Sequence, residues 1–361
     1  MVKYLLSGVI PILLVVSVQC VIGSSSPVPL FLENELEEWV RIPTLVGEWI
    51  WTHRRSIGVM MKQHQKSLPS SDIEFVLYTR RDTSDEGHRL ELENEESLLS
   101  SNFNPVRPTR IIVHGWQSSK SSPIAESIRD TYLLLWDYNV IVVDWSACSM
   151  HWNYVRAVGC VPDVGQSLAL LLDALQKQMG LLMEDVYIIG HSLGAHIAGI
   201  AGKTIQSGLL HTIIALDPAL PLFSIRQQEN RIGHQDAMYV EVIHTNGGLL
   251  GFLHPIGTAD FYPNGGSHQP GCGFNVVGLC SHSRAWELFV ESLLEPEEKL
   301  LASRVESLDA IQQETEPPVL KSDPDSHPMV ERVKMGGEPS SAGQARGLYS
   351  ITTRDKSPFF R

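Results

Sequence analysis

The sequence predicts an α/β fold with a mostly parallel central sheet and helices on both of its faces, and three features predict it. Four short runs, Arg110-Ile111-Ile112-Val113, Val140-Ile141-Val142-Val143, Val186-Tyr187-Ile188-Ile189 and Ile213-Ile214-Ala215-Leu216, have the length and near-continuous apolarity of strands buried on both faces. The segment from Asp163 to Gly180 reads as an amphipathic helix, with Leu168, Leu171, Leu172 and Leu175 on one face. The third run leads directly into Gly190-His191-Ser192-Leu193-Gly194 and a small-residue helical stretch from Ala195 to Ala201, which is a sharp strand-to-helix turn.

That turn carries chemistry. A serine hydroxyl is a weak nucleophile unless a tight bend holds it exposed beside a base, and flanking glycines let the backbone crowd enough to make the bend. Ser192 is therefore the candidate nucleophile. A hydrolase built this way places its acid and its histidine later in the chain, at the ends of further strands. Asp217 is the first acidic residue after Ser192, and it closes the run ending at Leu216 just before Pro218. Six histidines follow it, His234, His244, His254, His268, His282 and His327, and chain order alone does not rank them. His282 is the best placed, after Cys280 at the mouth of a short cysteine loop and before the helical run Arg284 to Val290. An oxyanion hole needs two backbone N–H groups, one from the residue after the nucleophile and one from a loop after an earlier strand. Leu193 supplies the first, and Trp116, in the turn His114-Gly115-Trp116, the second. Strands, helices and elbow together give the α/β-hydrolase fold.

With these residues in place, the chain resembles the pancreatic (animal) lipase family, more closely its insect members, over roughly residues 71 to 361. The resemblance is carried by Pro108-Thr109-Arg110-Ile111-Ile112-Val113-His114-Gly115-Trp116, by Gly190-His191-Ser192-Leu193-Gly194-Ala195-His196, by Leu216-Asp217-Pro218-Ala219, by Asp260-Phe261-Tyr262-Pro263-Asn264-Gly265-Gly266 and by Cys280-Ser281-His282. It implies Ser192 as nucleophile, Asp217 as orienting acid, His282 as general base, and Leu193 and Trp116 at the oxyanion hole. Closeness in the chain and the resemblance both favour disulfides Cys148–Cys160 and Cys272–Cys280. The resemblance also implies that access to the serine is governed by two loops. One, closed by Cys272 and Cys280 and containing Phe274, Val276 and Val277, and the other, from Thr245 to Asp260, are both shorter than in triacylglycerol lipases. This resembles the phospholipase A1 members and points to the sn-1 ester of glycerophospholipids, with triacylglycerol or galactolipid hydrolysis and a non-enzymatic, yolk-type lipid-binding role as the other readings. The calcium loop of some relatives is degraded, with Gln228 and Gly233 where acidic ligands would stand, although Asp236 survives. No cofactor and no metal is called for, and no CxxC pair is present.

The amino end, Met1-Val2-Lys3 followed by an apolar stretch to about Val18, reads as a signal peptide over residues 1–23, which predicts secretion. Its removal takes away Cys20 and leaves four cysteines for an oxidising compartment. Residues 24–70, with Trp39, Trp49, Ile50 and Trp51, read as an extension packed on the core. Residues 71–361 read as one catalytic domain with a polar, Pro-rich insert at about 295–330, terminal strands near Val333 and Gly347, and neither a carboxy-terminal β-sandwich nor its colipase contact. A net charge of -13 excludes a nucleic-acid partner and general attraction to anionic membranes. The partner predicted is a lipid ester at an interface.

Overall fold

In the computed structural model, which describes residues 39–63, 68–82, 86–92, 94–273, 278–313 and 331–360, the chain opens with a hairpin. Strands β1 (Trp39–Pro43) and β2 (Trp49–His53) pair antiparallel, and helix α1 (Arg54–Gln63) follows at once. Then come β3 (Glu74–Tyr78), β4 (His88–Leu90), α2 (Glu95–Leu99), β5 (Thr109–Val113), α3 (Pro123–Leu135), β6 (Asn139–Asp144), α4 (Ser146–Ser149) and α5 (Tyr154–Met179). The elements β7 (Val186–His191), α6 (Leu193–Thr204), β8 (Thr212–Leu216), β9 (Tyr239–Ile243), β10 (Ala259–Pro263), α7 (Leu279–Leu294), β11 (Leu301–Val305), α8 (Leu308–Gln313), β12 (Arg332–Lys334) and β13 (Gly347–Ile351) complete the chain order.

Among the described residues one sheet has eleven strands, in the order β12-β11-β13-β10-β9-β8-β7-β5-β6-β3-β4. Strands β6, β5, β7, β8, β9, β10 and β13 are parallel; β3 and β11, on either side of them, run antiparallel to this set, and the marginal strands β4 and β12 pair antiparallel with β3 and β11. The four predicted strands are all central. Side chains alternate across the sheet plane: Ile111, Val113, Ile141, Val143 and Ile188 join one core with α5 and α6, while Ile112, Val140, Val142 and Ile189 join the other with α3 and α7. This is the α/β-hydrolase arrangement, with apolar strands covered on both faces.

Helix α5 shows where local sequence rules gave way. Pro162 lies inside this helix, although proline removes a helical N–H and its ring crowds the preceding turn. The helix begins at Tyr154 rather than Asp163; the Asn153 side chain accepts from Val155 N at 2.9 Å and caps it. Val155, Ala157, Val158 and Val161 are buried, and a disulfide joins Cys160 to Cys148. Burial and the cross-link outweigh one lost hydrogen bond. The predicted end holds, with Gly180 in the left-handed conformation at φ 79°.

Another reading needs correction. The described part of the polar insert holds β11, which pairs with β13 and buries Ala302, so alternation across only a few residues concealed a strand; residues 314–330, including Glu314 to Pro318 and His327, lie outside the described residues, as do 1–38. The amino-terminal segment does pack on the core, through Ile42 and Ile57, with Pro43 buried as well, but Trp39, Ile50 and Trp51 stay substantially exposed. A backbone bond from Leu68 N to the Asp163 carboxylate, 2.8 Å, ties the following segment to α5.

The sheet is clamped by one buried ion pair. Arg110, on β5, donates from Nε and Nη2 to the two carboxylate oxygens of Glu338, both at 2.8 Å, and its guanidinium lies 3.8 Å from the ring centre of Tyr187. Each side chain is only 4% exposed. Burial opposes the charge on Arg110, but the Glu338 carboxylate holds the guanidinium protonated. Removing one partner strands a buried charge, so Glu338→Ala is expected to lower stability by about 3–5 kcal/mol, read from urea unfolding curves.

Candidate active site

The elbow is built by backbone crowding. Ser192 has φ 57° and ψ −119°, a conformation costly for a residue with a Cβ, at the junction of β7 and α6. Its N–H donates to Leu216 O at 3.0 Å and its carbonyl accepts from Ala195 N and Ala219 N, so neighbouring backbone on both sides fixes the bend. A methyl group on Gly190 would overlap Gly194, and one on Gly194 would overlap Val113 and His114 of the adjacent strand and loop. The motif glycines are there because no side chain fits.

Asp217 ends β8 with φ 42° and is fully buried. Its Oδ1 accepts from Thr245 N at 2.8 Å and Asn246 N at 3.0 Å, and its Oδ2 lies 2.5 Å from His282 Nδ1. Two amides and one imidazole therefore fix both carboxylate oxygens. A hydrogen bond from Nδ1–H leaves Nε2 without a proton in the neutral ring, which is the tautomer a general base requires. His282 sits in the first turn of α7, which starts at Leu279 and so includes the histidine rather than following it; its N–H donates to Gly278 O at 2.8 Å.

The other histidines separate cleanly. His244 is buried, with Nε2 2.9 Å from Asp260 Oδ1, Nδ1 2.7 Å from Phe252 O, and its ring stacked 4.4 Å from Tyr262. His234, His254 and His268 are exposed.

Ser192 and His282 border one cavity of about 270 Å³, together with Trp116, Tyr154, His191, Leu250, Leu279 and Trp286, and with Pro43 and Thr44 of the hairpin. The loop carrying Gly115 and Trp116 lies against the serine: a Cβ on Gly115 would stand 2.8 Å from Ser192 Cβ. Trp116 is anchored by its indole N–H, which donates to His151 O at 2.9 Å, and by an edge-on contact with Tyr154. Gln117, at φ 55°, donates from its backbone to Ser149 O at 3.0 Å. Underneath, His114 contacts Asp144 at 3.3 Å and stacks on Trp145, whose indole N–H donates to His114 O. Burial works against the Asp144 charge, yet hydrogen bonds from His114 and Ser146 bring its carboxyl down to about 2. Leu193 directly follows Ser192 at the start of α6, and Trp116 borders the same cavity as the serine.

Both disulfides form, Cys148–Cys160 and Cys272–Cys280. The first joins α4 to α5 and supports the Ser149 and His151 carbonyls that hold Gln117 and Trp116. The second closes the loop before α7 two residues from His282; its Phe274, Val276 and Val277 lie outside the described residues. The Asp236 carboxylate contacts the Lys203 ammonium and accepts from Gly233 N at 2.8 Å, so a protein cation already faces it. Among the described residues no cluster of three or more His, Cys, Asp or Glu side chains has metal-binding geometry.

Comparison with known proteins gives this arrangement its family. The Lipase family model matches residues 47–359. The chain belongs to the lipase family. It is 36% identical to Lipase member H-A of Xenopus laevis over 61% of this chain and 48% of that one, and 33% identical to the pancreatic triacylglycerol lipase of Myocastor coypus over 64% and 55%. It is 34% identical to Phospholipase A1 1 of the wasp Dolichovespula maculata over 61% of this chain and 73% of the relative. It spans about half the length of the first two curated relatives.

Several residues of this lipase-family site escaped the sequence reading. Thr245 and Asn246 act through backbone N–H groups, which no residue type signals. Gly251 is hidden for the same reason: a methyl there would overlap both oxygens of Asp217. If Asp217 orients His282, Gly251→Ala is expected to displace the carboxylate and lower kcat by about 100-fold with the circular dichroism spectrum unchanged, since ångström-scale misplacement of such a group costs that much.

His191, packed 4.6 Å from the His282 ring with Nε2 3.1 Å from the His282 carbonyl, also went unnoticed. Burial, and then the His282 ring, bring His191 down to about 3, and burial brings His196 to about 3 as well. Their folded pKa values lie below the ordinary 6.5, so the stability they give is present above pH 6.5 and is lost as pH falls toward 3. Glu241, which burial pushes up to about 7, acts oppositely: its contribution is present below its ordinary 4.5 and lost as pH rises through 7. Two imidazoles against one carboxyl leave a net loss of stability as pH falls from 6.5 to 4.5. Urea midpoints across that range are expected to fall steadily on acidification; a flat profile would contradict the assignment.

Proposed function

We propose that this chain is a secreted serine hydrolase of lipid carboxylic esters, and that it acts as a phospholipase A1 on the sn-1 ester of glycerophospholipids. The observation that carries the hydrolase reading is the Asp217–His282 contact of 2.5 Å beside a cavity bordered by both His282 and the strained Ser192. In the reaction His282 Nε2 takes the hydroxyl proton of Ser192 as Oγ attacks the ester carbonyl carbon, and Asp217 stabilises the imidazolium that results. The amides of Leu193 and Trp116 hold the oxyanion. The tetrahedral adduct collapses with loss of the alcohol, which His282 protonates. Water, deprotonated by His282, then attacks the acyl-enzyme and releases the fatty acid.

The phospholipase reading is supported by the short access loops. Only eight positions separate Cys272 from Cys280, and the loop after β9 is used in holding Asp217 through Thr245 and Asn246 and in lining the cavity through Leu250. Neither has spare length to cover the site with a long lid. Similarity to a wasp phospholipase A1 over most of that relative's length points the same way. Secretion is supported by the two disulfides, which persist in oxidising compartments.

The decisive experiment supplies phosphatidylcholine with distinguishable sn-1 and sn-2 chains alongside trioleoylglycerol, and identifies the released acids by mass spectrometry. Selective sn-1 release is expected; preferential attack on the triglyceride would overturn the phospholipase reading. Ser192→Ala is expected to lower kcat on the order of a million-fold and to abolish labelling by a fluorophosphonate, with the fold intact. Labelling that survives this substitution would remove Ser192 from the mechanism.

A further inference from the structure

The hairpin β1–β2 shows an unusual distribution of apolar groups. Its tip is a β-turn in which Gly47 N donates to Thr44 O at 3.1 Å, braced by the Thr44 hydroxyl, which accepts from Glu48 N and lies 3.1 Å from Glu48 O. The two central positions of such a turn normally carry Pro, Asn, Asp, Gly or Ser. Here they are Leu45 and Val46, 52% and 79% exposed. The register places Trp39, Arg41 and Pro43 opposite His53, Trp51 and Trp49, so these six share one face of the ribbon. On that face the Arg41 guanidinium lies 5.5 Å from the Trp49 ring and 5.6 Å from the Trp51 ring, while Trp39 and Trp51 are 38% and 44% exposed. Indoles with one apolar body and one polar edge, interleaved with arginine, suit the boundary between hydrocarbon and headgroups.

Pro43, on this face, and Thr44, at the turn, line the cavity bordered by Ser192 and His282. Two other exposed apolar groups stand near the same cavity: Leu279 lines it, and Trp152 follows His151, whose carbonyl holds Trp116. The cavity, about 270 Å³, is small beside ligand pockets generally, roughly 300–1,000 Å³, so a lipid would leave most of its length outside it. A net charge of -13 gives no general pull toward anionic surfaces, which leaves apolar and interfacial side chains to make the contact.

We infer that the amino-terminal hairpin is a lipid-surface anchor: Leu45 and Val46 enter the acyl region of a zwitterionic membrane, the tryptophan–arginine face lies at headgroup level, and the cavity mouth is thereby held against the bilayer. The inference rests on the lipid-ester reading above for its purpose, but binding is measured apart from turnover. The test uses the full chain carrying Ser192→Ala, so that vesicles stay intact, cosedimented with phosphatidylcholine vesicles. Adding either Leu45→Asp with Val46→Asp or Trp39→Ser with Trp51→Ser is expected to lower partitioning at least about tenfold. The Leu45→Asp and Val46→Asp pair, placed in the chain with Ser192 retained, is expected to leave hydrolysis of water-soluble p-nitrophenyl butyrate within about twofold, because neither side chain lines the cavity. Both pairs partitioning like their parent would overturn the anchor, as would absence of vesicle binding by the parent. Light scattering that shows a dimer dissolved by these substitutions, without vesicle binding, would assign the face to a second copy instead. Failure to cleave the soluble ester by the chain with Ser192 retained would count against the hydrolase reading and leave the binding result standing.

Discussion

The candidate site depends on a buried carboxylate that cannot move. Asp217 is fully enclosed, sits at positive φ, accepts from two backbone amides and contacts His282. An unpaired charge in such a place would be very costly, so each of those groups is needed for the fold as much as for chemistry. The consequence is that four separate pieces of chain must arrive together: the end of β8, the turn after β9, the glycine at 251 and the first turn of α7. Parallel strands bring the first two side by side, because in a parallel sheet all carboxyl ends emerge at one edge.

The elbow uses the same edge differently. Its strain at Ser192 is maintained by close backbone approach from β5, β7 and β8, and the glycines of the motif record that approach. The loop carrying Trp116 is held from outside by the Ser149 and His151 carbonyls, so the Cys148–Cys160 disulfide supports the candidate site without touching it. Rigid backbone, more than any one side chain, positions the charges that would stabilise an oxyanion.

Much of this was legible in the sequence. The four apolar runs, the elbow and the aspartate closing a strand are patterns in which residue type and conformation have one physical cause. His282 was separable from five other histidines only by its neighbourhood, and the structure shows why: the decisive fact, its distance from Asp217, lies across 65 residues of chain. What stayed hidden acts through backbone or through position. The Thr245 and Asn246 amides, the clearance at Gly251 and the alternation of the amino-terminal hairpin have no signature in residue type. The leucine stripe marks only the second half of helix α5; its first half, Tyr154 to Pro162, is buried through small and β-branched residues around an internal proline and carries no such stripe.

The bidentate contact between Arg110 and Glu338 spans 228 residues. Arg110 lies on the first of the central parallel strands to be synthesised, and its charge-neutralising partner comes near the opposite end of the described chain. A polypeptide elongating from its amino end therefore holds an incomplete interior for most of its synthesis, with a cation that belongs inside and no anion to receive it. Contacts of such long range make a fold slow to close. The sheet that aligns the serine, the aspartate and the histidine thus gains its buried ion pair only once the chain has been made as far as Glu338, and until then Arg110 has no anion to enter the interior with.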